Sequence, residues 1–112
     1  MALTIWHNPR CSKSRQTLAL IEAREPTVRL YLTDAPSEAE LRAAATALGV
    51  APIKMMRTGE PEFKAESLSQ DSSEDILFAA MARMPKLIER PIVFAGEKAV
   101  IGRPPEAVLS LL

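Results

Sequence analysis

Three short apolar runs and one alternating segment divide this sequence of 112 residues. The runs lie at residues 2–6, 91–94 and 99–101, and the alternating segment lies at residues 27–32, with Val28, Leu30 and Leu32 on one side. Runs of this length, bounded by turn residues, are typical of buried strands. Helical patterns separate them, so the order of elements is βα, then βα with further helices, then ββα. An early βαβ unit followed by a hairpin and a helix predicts an α/β fold. Its mixed sheet would be flanked by helices, with a helical insertion in the middle of the chain.

Capping and turn residues mark the ends of the predicted helices. The first helix is expected from Ser12 to about Arg24. Ser37 and Glu40 have the spacing of a capping box for the next helix, and Gly49 ends that helix. The other expected segments are helical pieces at residues 52–57, 73–85 and 104–112, and a polar, acid-rich surface stretch at residues 60–75.

Length and charge limit the classes of function. A chain of 112 residues is expected to form a single domain over residues 1–112. With 14 basic and 14 acidic residues and no basic run, the sequence indicates no nucleic-acid or membrane surface. No apolar stretch approaches membrane-spanning length, and the first residues lack the basic start and apolar core of a signal peptide. We therefore expect a cytoplasmic protein.

The segment between the first strand and the first helix, residues 7–15, carries the most chemistry. It holds the only cysteine, Cys11, at the expected start of the helix. Free N–H groups and the helix dipole favour an anion there, so we expect a thiol pKa below the ordinary value of about 8.5. Arg10, Lys13 and Arg15 add positive charge, and the same N–H groups suit an oxyanion. A lone cysteine is more often a small buried hydrophobe, but this charged turn favours a reactive thiolate.

Ser14 and His7 are the candidate partners of Cys11. Cys11 and Ser14 have the spacing of a C-x-x-C redox motif with serine in the last place, so only an outside thiol can resolve an oxidised Cys11. Ser14 either donates a hydrogen bond to the thiolate or satisfies backbone groups of the first helical turn. His7, the only histidine, either tunes Cys11 or ends the strand. It has no partner at metal-ligand spacing, so we expect no metal site.

Residues 7–15, read with several later segments, resemble the glutaredoxin-linked arsenate reductase family of the ArsC type. The family motif His-Asn-Pro-x-Cys, three small or polar residues and an arginine is matched in this segment. Ser12 and Lys13 depart from the Gly-Thr pair usual after the cysteine in well-studied members. The resemblance implies a thioredoxin-like fold and covers nearly the whole chain. It continues at residues 30–32, 36–37, 56–57, 89–93 and 102–104.

The resemblance also implies a reaction and the residues that perform it. Cys11 would attack arsenate, and His7 and Ser14 would assist the thiolate as further catalytic residues. Three arginines would bind the oxyanion: Arg57, Arg90 and Arg103. Guanidinium groups suit tetrahedral oxyanions and stabilise thiolates, and arginines at strand ends can converge on one sheet edge. Glutathione, as co-substrate, would form a mixed disulfide that glutaredoxin reduces, and no bound cofactor is implied.

Two other functions use the same residues. A glutathione-linked thiol transferase acting on glutathionylated proteins needs Cys11 and the arginines but no oxyanion. A redox regulator of the Spx type, which has this fold and binds RNA polymerase without enzymatic activity, usually carries C-x-x-C. Ser14 in the place of the second cysteine counts against that regulator. Thioredoxin-like folds place a cis proline at the position of Pro91, but the sequence leaves this isomer open because most X–Pro bonds are trans.

Overall fold

A computed structural model describes residues 2–112. Its strands are β1 (Leu3–Trp6), β2 (Thr27–Arg29), β3 (Ile92–Ala95) and β4 (Lys98–Ile101). Its α-helices are α1 (Ser12–Ile21), α2 (Glu38–Leu48), α3 (Pro61–Ala65) and α4 (Glu74–Arg83). Short 3-10 helices lie at Glu22–Arg24, Pro52–Met55, Pro85–Leu87 and Pro105–Leu111. Among residues 2–112, none of the helices combines the length and the apolar character needed to cross a bilayer.

The four strands form one mixed sheet in the order β2-β1-β3-β4. β1 pairs in parallel with β2, where Ile5 lies opposite Val28, and antiparallel with β3, where Ile5 lies opposite Val93. β3 and β4 form an antiparallel hairpin whose turn contains Gly96 at a positive φ of 60°. The predicted α/β fold, a thioredoxin-like mixed sheet with flanking helices and a helical insertion, is confirmed.

The described residues fall into two compact units. One unit comprises Arg90–Leu112 and the described part of Met1–Asp34, and it contains the sheet, α1 and the last 3-10 helix. The other unit is the helical insertion, Ala35–Glu89. The expectation that residues 1–112 form a single domain stays a prediction.

Within the sheet unit, α1 and the last 3-10 helix cover one face of the sheet. The apolar side chains that meet there are buried, and each contributes roughly 1.5–3 kcal/mol relative to an exposed position. This packing holds the last turns of α1, through Leu18 and Ile21, against the sheet. The core residues are Leu3, Ile5, Ile21, Val93, Ala95 and Val108, with Leu18, Val100 and Leu111 packed against them.

The second strand is shorter than predicted. The alternating pattern at residues 27–32 predicts a strand to Leu32, but β2 ends at Arg29, and the N–H groups of Thr33 and Asp34 both donate to the carbonyl of Leu30. β2 is an edge strand whose only neighbour in the sheet is β1, and β1 ends at Trp6, opposite Arg29. Without a continuing partner the chain turns. The alternating apolar side chains are 43–45% exposed: Val28, Leu30 and Leu32.

The insertion follows the capping signals closely. The Ser37 side chain accepts from the N–H of Glu40, the Glu40 carboxylate accepts from the N–H of Ser37, and Gly49 ends α2 at a φ of 71°. The stretch at residues 60–75, predicted to be a polar surface, contains α3 and buries Phe63. Most of this stretch is exposed, as predicted, and the apolar side chains of Phe63 and Leu68 are its buried positions.

Candidate active site around Cys11

A tight turn places Cys11 at the start of α1. The N–H of Cys11 donates to the carbonyl of Asn8 at 3.0 Å, and the N–H of Arg10 donates to Asn8 Oδ1 at 3.0 Å. Pro9 occupies the second position of this turn, where its fixed φ is favoured. The Arg15 guanidinium donates to the carbonyl of Pro9 at 2.9 Å and ties the turn to the helix. Cys11 is the N-cap residue of α1, with extended backbone angles.

The pKa of the Cys11 thiol lies below its ordinary value. Burial is the largest influence and raises the pKa, because it disfavours the charged thiolate. Four groups act in the opposite direction and together outweigh burial: the N–H of Ser14, the charge of Arg90, the N–H of Lys13 and the guanidinium of Arg103. Cys11 remains half-buried, so a reactant can reach a stabilised thiolate.

Arg103 makes the direct side-chain contact with the sulfur. Its Nη1 lies 3.8 Å from Cys11 Sγ and donates to the carbonyl of Arg90 at 3.4 Å. Arg90 acts on the thiol through its positive charge. Two of the three arginines predicted to bind an oxyanion, Arg90 and Arg103, therefore lie in the unit that contains Cys11 and both favour negative charge there.

Arg57 lies in the other unit, the helical insertion. Its guanidinium forms an ion pair with Glu60, and its backbone N–H donates to the carbonyl of Leu87 at 2.8 Å. The carboxylate balances the charge of Arg57 within the insertion. Its part in an oxyanion site stays a prediction.

His7 and Ser14 form a buried pair behind the turn. The Nδ1 of His7 lies 2.7 Å from Ser14 Oγ, and the N–H of Asn8 donates to the same oxygen at 3.0 Å. Burial, and then the charge of Arg15, lower the pKa of His7. A neutral ring fits this network, because its Nδ1 then accepts the Ser14 hydroxyl proton. Within residues 2–112, no three His, Cys, Asp or Glu side chains gather where they could hold a metal ion.

The contacts of Ser14 favour the second of the two roles considered for it, in which its hydroxyl satisfies groups of the turn. Its hydroxyl is engaged with the ring of His7 and the backbone of Asn8, and the side chain is fully buried. Ser14 lowers the pKa of Cys11 through its backbone N–H. These contacts tie the side chain to the turn, while the backbone N–H favours the thiolate. The catalytic role expected of Ser14 stays a prediction.

Sequence reasoning missed two residues beside this site, Thr17 and Gly102. The Thr17 hydroxyl donates to the carbonyl of Lys13 at 2.8 Å and lies 3.3 Å from the carbonyl of Gly102. The Arg90–Pro91 peptide bond is cis, and a Cβ on Gly102 would lie 2.9 Å from the Pro91 side chain. The position of Gly102 directly before Arg103 is a weak signal in the sequence. Thr17 carries no signal, because a threonine inside a helical pattern is common.

Comparison with known proteins identifies the family. The family model of ArsC matches residues 6–111. This chain belongs to the ArsC family. Two relatives named arsenate reductase are similar to this ArsC protein over nearly their whole lengths. The protein from Haemophilus influenzae is 47% identical over 100% of both chains. The protein from Neisseria meningitidis serogroup A is 40% identical over 98% of this chain and 97% of that one.

A solved structure is similar to this ArsC protein in its whole fold. The structure of an arsenate reductase from Vibrio cholerae has a TM-score of 0.94 and 49% sequence identity, covering 100% of this chain and 98% of that chain. The region matched by the family model includes the Cys11 turn, Arg90 and Arg103. The candidate site of this ArsC protein therefore lies within the residues that the family model matches.

Proposed function

We propose that this ArsC protein reduces arsenate to arsenite, with Cys11 as nucleophile and with glutathione and glutaredoxin as the source of electrons. The observation that carries the proposal is the Arg103 guanidinium 3.8 Å from the sulfur of a thiol with a lowered pKa. A thiolate beside guanidinium groups combines a nucleophile with a binding surface for an oxyanion. The relatives named arsenate reductase support arsenate as that oxyanion.

In the first step, the Cys11 thiolate attacks the arsenic atom. A sulfur–arsenic bond forms, and one arsenate oxygen leaves as water after taking up protons. Arg90 and Arg103 hold the remaining oxygens and balance the negative charge that two anions bring together. Arg57 is the third proposed arginine, and this role rests on the resemblance alone.

The reduction itself needs two electrons, which two thiols supply. The glutathione thiol completes a disulfide with Cys11, and arsenic leaves as arsenite in the trivalent state. In balance, arsenate and two thiols become arsenite, one disulfide and water. Because Cys11 is the only cysteine, no second thiol of this chain can supply the other electron or break the disulfide. A glutaredoxin dithiol then reduces the mixed disulfide, in the cytoplasm, where thiols are kept reduced.

The proposal gives His7 and Ser14 supporting roles. Their hydrogen bond, with the N–H of Asn8 on the same oxygen, holds the turn that presents Cys11. A neutral His7 adds no charge to the site, so the stabilisation of the thiolate comes from the helix N–H groups and the arginines. Loss of either side chain is expected to act on Cys11 indirectly, by disturbing the turn that presents the thiol.

The test is an assay of arsenate-dependent NADPH oxidation with glutathione, glutathione reductase and glutaredoxin. Wild type is expected to turn over only with arsenate, Cys11→Ser to have no activity, and Arg103→Ala to need far more arsenate. Arg24→Ala is the matched control, because Arg24 is an exposed arginine at the end of the 3-10 helix that follows α1.

Three results would contradict the proposal. Full activity in Cys11→Ser would exclude the cysteine as nucleophile. Equal losses in Arg103→Ala and Arg24→Ala would exclude a specific role for Arg103. Turnover of a glutathionylated protein without arsenate, together with no arsenate turnover, would assign the chain to the thiol transferases instead.

A further inference from the structure

Thr17 and Gly102 join α1 to the segment that carries Arg103. The two residues are 85 positions apart in sequence, yet the Thr17 hydroxyl lies 3.3 Å from the carbonyl oxygen of Gly102. The same hydroxyl donates to the carbonyl of Lys13 at 2.8 Å. Thr17 is fully buried, so water does not compete for these bonds.

The contact is also steric, because no side chain fits on Gly102. A Cβ there would lie 2.4 Å from Thr17 Oγ1 and 2.9 Å from Thr17 Cγ2, and also 2.9 Å from Pro91 Cγ. Real Cβ atoms essentially never come that close, so a larger residue would push the strand end away from α1. The N–H of Gly102 donates to the carbonyl of Pro91 at 2.9 Å and fixes the segment from the other side.

Both sides of this junction carry the reacting groups. Cys11 is the N-cap of α1, less than two turns before Thr17, and Arg103 directly follows Gly102. We propose that Thr17 is a positioning residue that, with Gly102, holds the Arg103 guanidinium against the Cys11 sulfur. Its role in catalysis rests on the proposed function, but its effect on the thiol can be measured without arsenate.

An ordinary helical hydrogen bond does not account for Thr17. Threonine often donates to the carbonyl four residues earlier in a helix, and Thr46 in α2 does so to Arg42 at 3.1 Å. Thr46 is exposed, whereas Thr17 is buried and reaches a second carbonyl on another segment. Thr46→Val is therefore a matched control, because it removes the same local bond without a long-range contact.

The hydroxyl has one proton, which two carbonyl oxygens share. The shorter bond goes to Lys13, so part of the junction is the shape of Thr17 against the bare Cα of Gly102. Thr17→Val keeps that shape and loses the proton. Thr17→Ser keeps the proton and loses the methyl group. Comparison of the two variants separates the bond from the packing.

The experiment measures the rate of Cys11 alkylation by iodoacetamide as a function of pH. Because Cys11 is the only cysteine, the midpoint reports its thiolate alone. Thr17→Val is expected to raise the midpoint in the same direction as Arg103→Ala, by roughly half a pH unit, which makes alkylation at the wild-type midpoint about twofold slower. Thr17→Ser, which loses only the packing of the methyl group, is expected to raise the midpoint less than Thr17→Val does, and Thr46→Val is expected to keep the wild-type midpoint.

An unchanged midpoint in folded Thr17→Val, beside a raised midpoint in Arg103→Ala, would overturn the proposal. An unchanged midpoint in Arg103→Ala would also overturn it, because Arg103 would then not act on the sulfur. If Thr17→Val does not fold, Gly102→Ala takes its place and is expected to raise the midpoint by displacing Arg103. A missing arsenate turnover in wild type would contradict the proposed function and leave these midpoints unaffected.

Discussion

The first turns of α1 and α2 use the same backbone donors for different purposes. At α2, the Ser37 side chain and the Glu40 carboxylate satisfy backbone N–H groups, and Glu38 adds a second acid. At α1, the N-cap is Cys11 and the first turn contains no acidic residue. The N–H groups of α1 instead lower the pKa of the thiol.

The difference shows which helix start serves stability and which serves chemistry. A capping box satisfies the unpaired donors and contributes about 1 kcal/mol to folding. α4 follows the same rule, with Ser73 as its cap and Glu74 and Asp75 in its first turn. α1 lacks these stabilising residues, and its positive end is left for an anion. Four substitutions test this contrast.

The largest effect is expected from Cys11→Ser, which gives α1 the N-cap residue type that α2 has. Arsenate turnover is expected to fall to background, because the hydroxyl is a far weaker nucleophile at neutral pH. At a pH low enough to protonate the Cys11 thiol, stability is expected to stay equal or to rise by up to about 1 kcal/mol, since serine is a strong N-cap. The coupled NADPH assay and thermal unfolding measure the two properties on one sample. A variant that lost both activity and stability would show that Cys11 itself is needed for folding.

The reverse experiment is Ser37→Ala, which removes the capping box of α2. We expect the free energy of unfolding to fall by about 1 kcal/mol, because the N–H of Glu40 loses its acceptor, the Ser37 hydroxyl. The midpoint of Cys11 alkylation is expected to stay at the wild-type pH. Denaturant unfolding and the alkylation profile are the measurements. A shifted alkylation midpoint would contradict the claim that the start of α2 serves stability alone and has no effect on Cys11.

The starts of α1 and α2 could be predicted from the sequence because the residues that determine them lie close together along the chain. Ser37, Glu40 and Gly49 act through residues within a few positions, so their pattern is complete in the sequence. The same holds for Cys11, because the turn before it closes between Asn8 and Cys11. The fold class followed from the order of such local elements, each of which points to the same architecture.

Long-range contacts explain what the sequence did not reveal. The end of β2 depends on where β1 leaves the sheet, which no residue between Thr27 and Leu32 encodes. The Ser14 hydroxyl bonds to the ring of His7, seven residues earlier, and this contact forms only once the turn between them has folded. The junction of Thr17 with Gly102 joins positions 85 residues apart, and only the folded chain brings them together.

A smaller effect is expected from Lys13→Glu, which gives α1 an acid in its first turn, as α2 has. Negative charge there competes with the thiolate for the helix dipole, an interaction of about 0.3–1 kcal/mol. The pKa of Cys11 is expected to rise by roughly 0.2–0.7 units, which slows alkylation at the wild-type midpoint up to a few fold. Glu38→Lys in α2 is the matched control and is expected to lower stability without moving that midpoint. A midpoint that moved equally in both variants would point to net charge rather than to the helix start.

The smallest effect concerns the dependence of stability on pH. The pKa of Cys11 is lower in the folded protein than its ordinary value, which the unfolded chain is taken to have. Between these two pKa values the unfolded chain binds more protons, so the free energy of unfolding rises with pH and levels off above about 8.5. As pH falls through the folded pKa, this contribution is lost. Subtracting the profile of Cys11→Ser from that of wild type removes all other titrating groups. A difference that stayed flat with pH would mean that the thiolate gains nothing from folding. The N–H groups at the start of α1 would then stabilise an anion no better than those at the start of α2, which its capping box already satisfies.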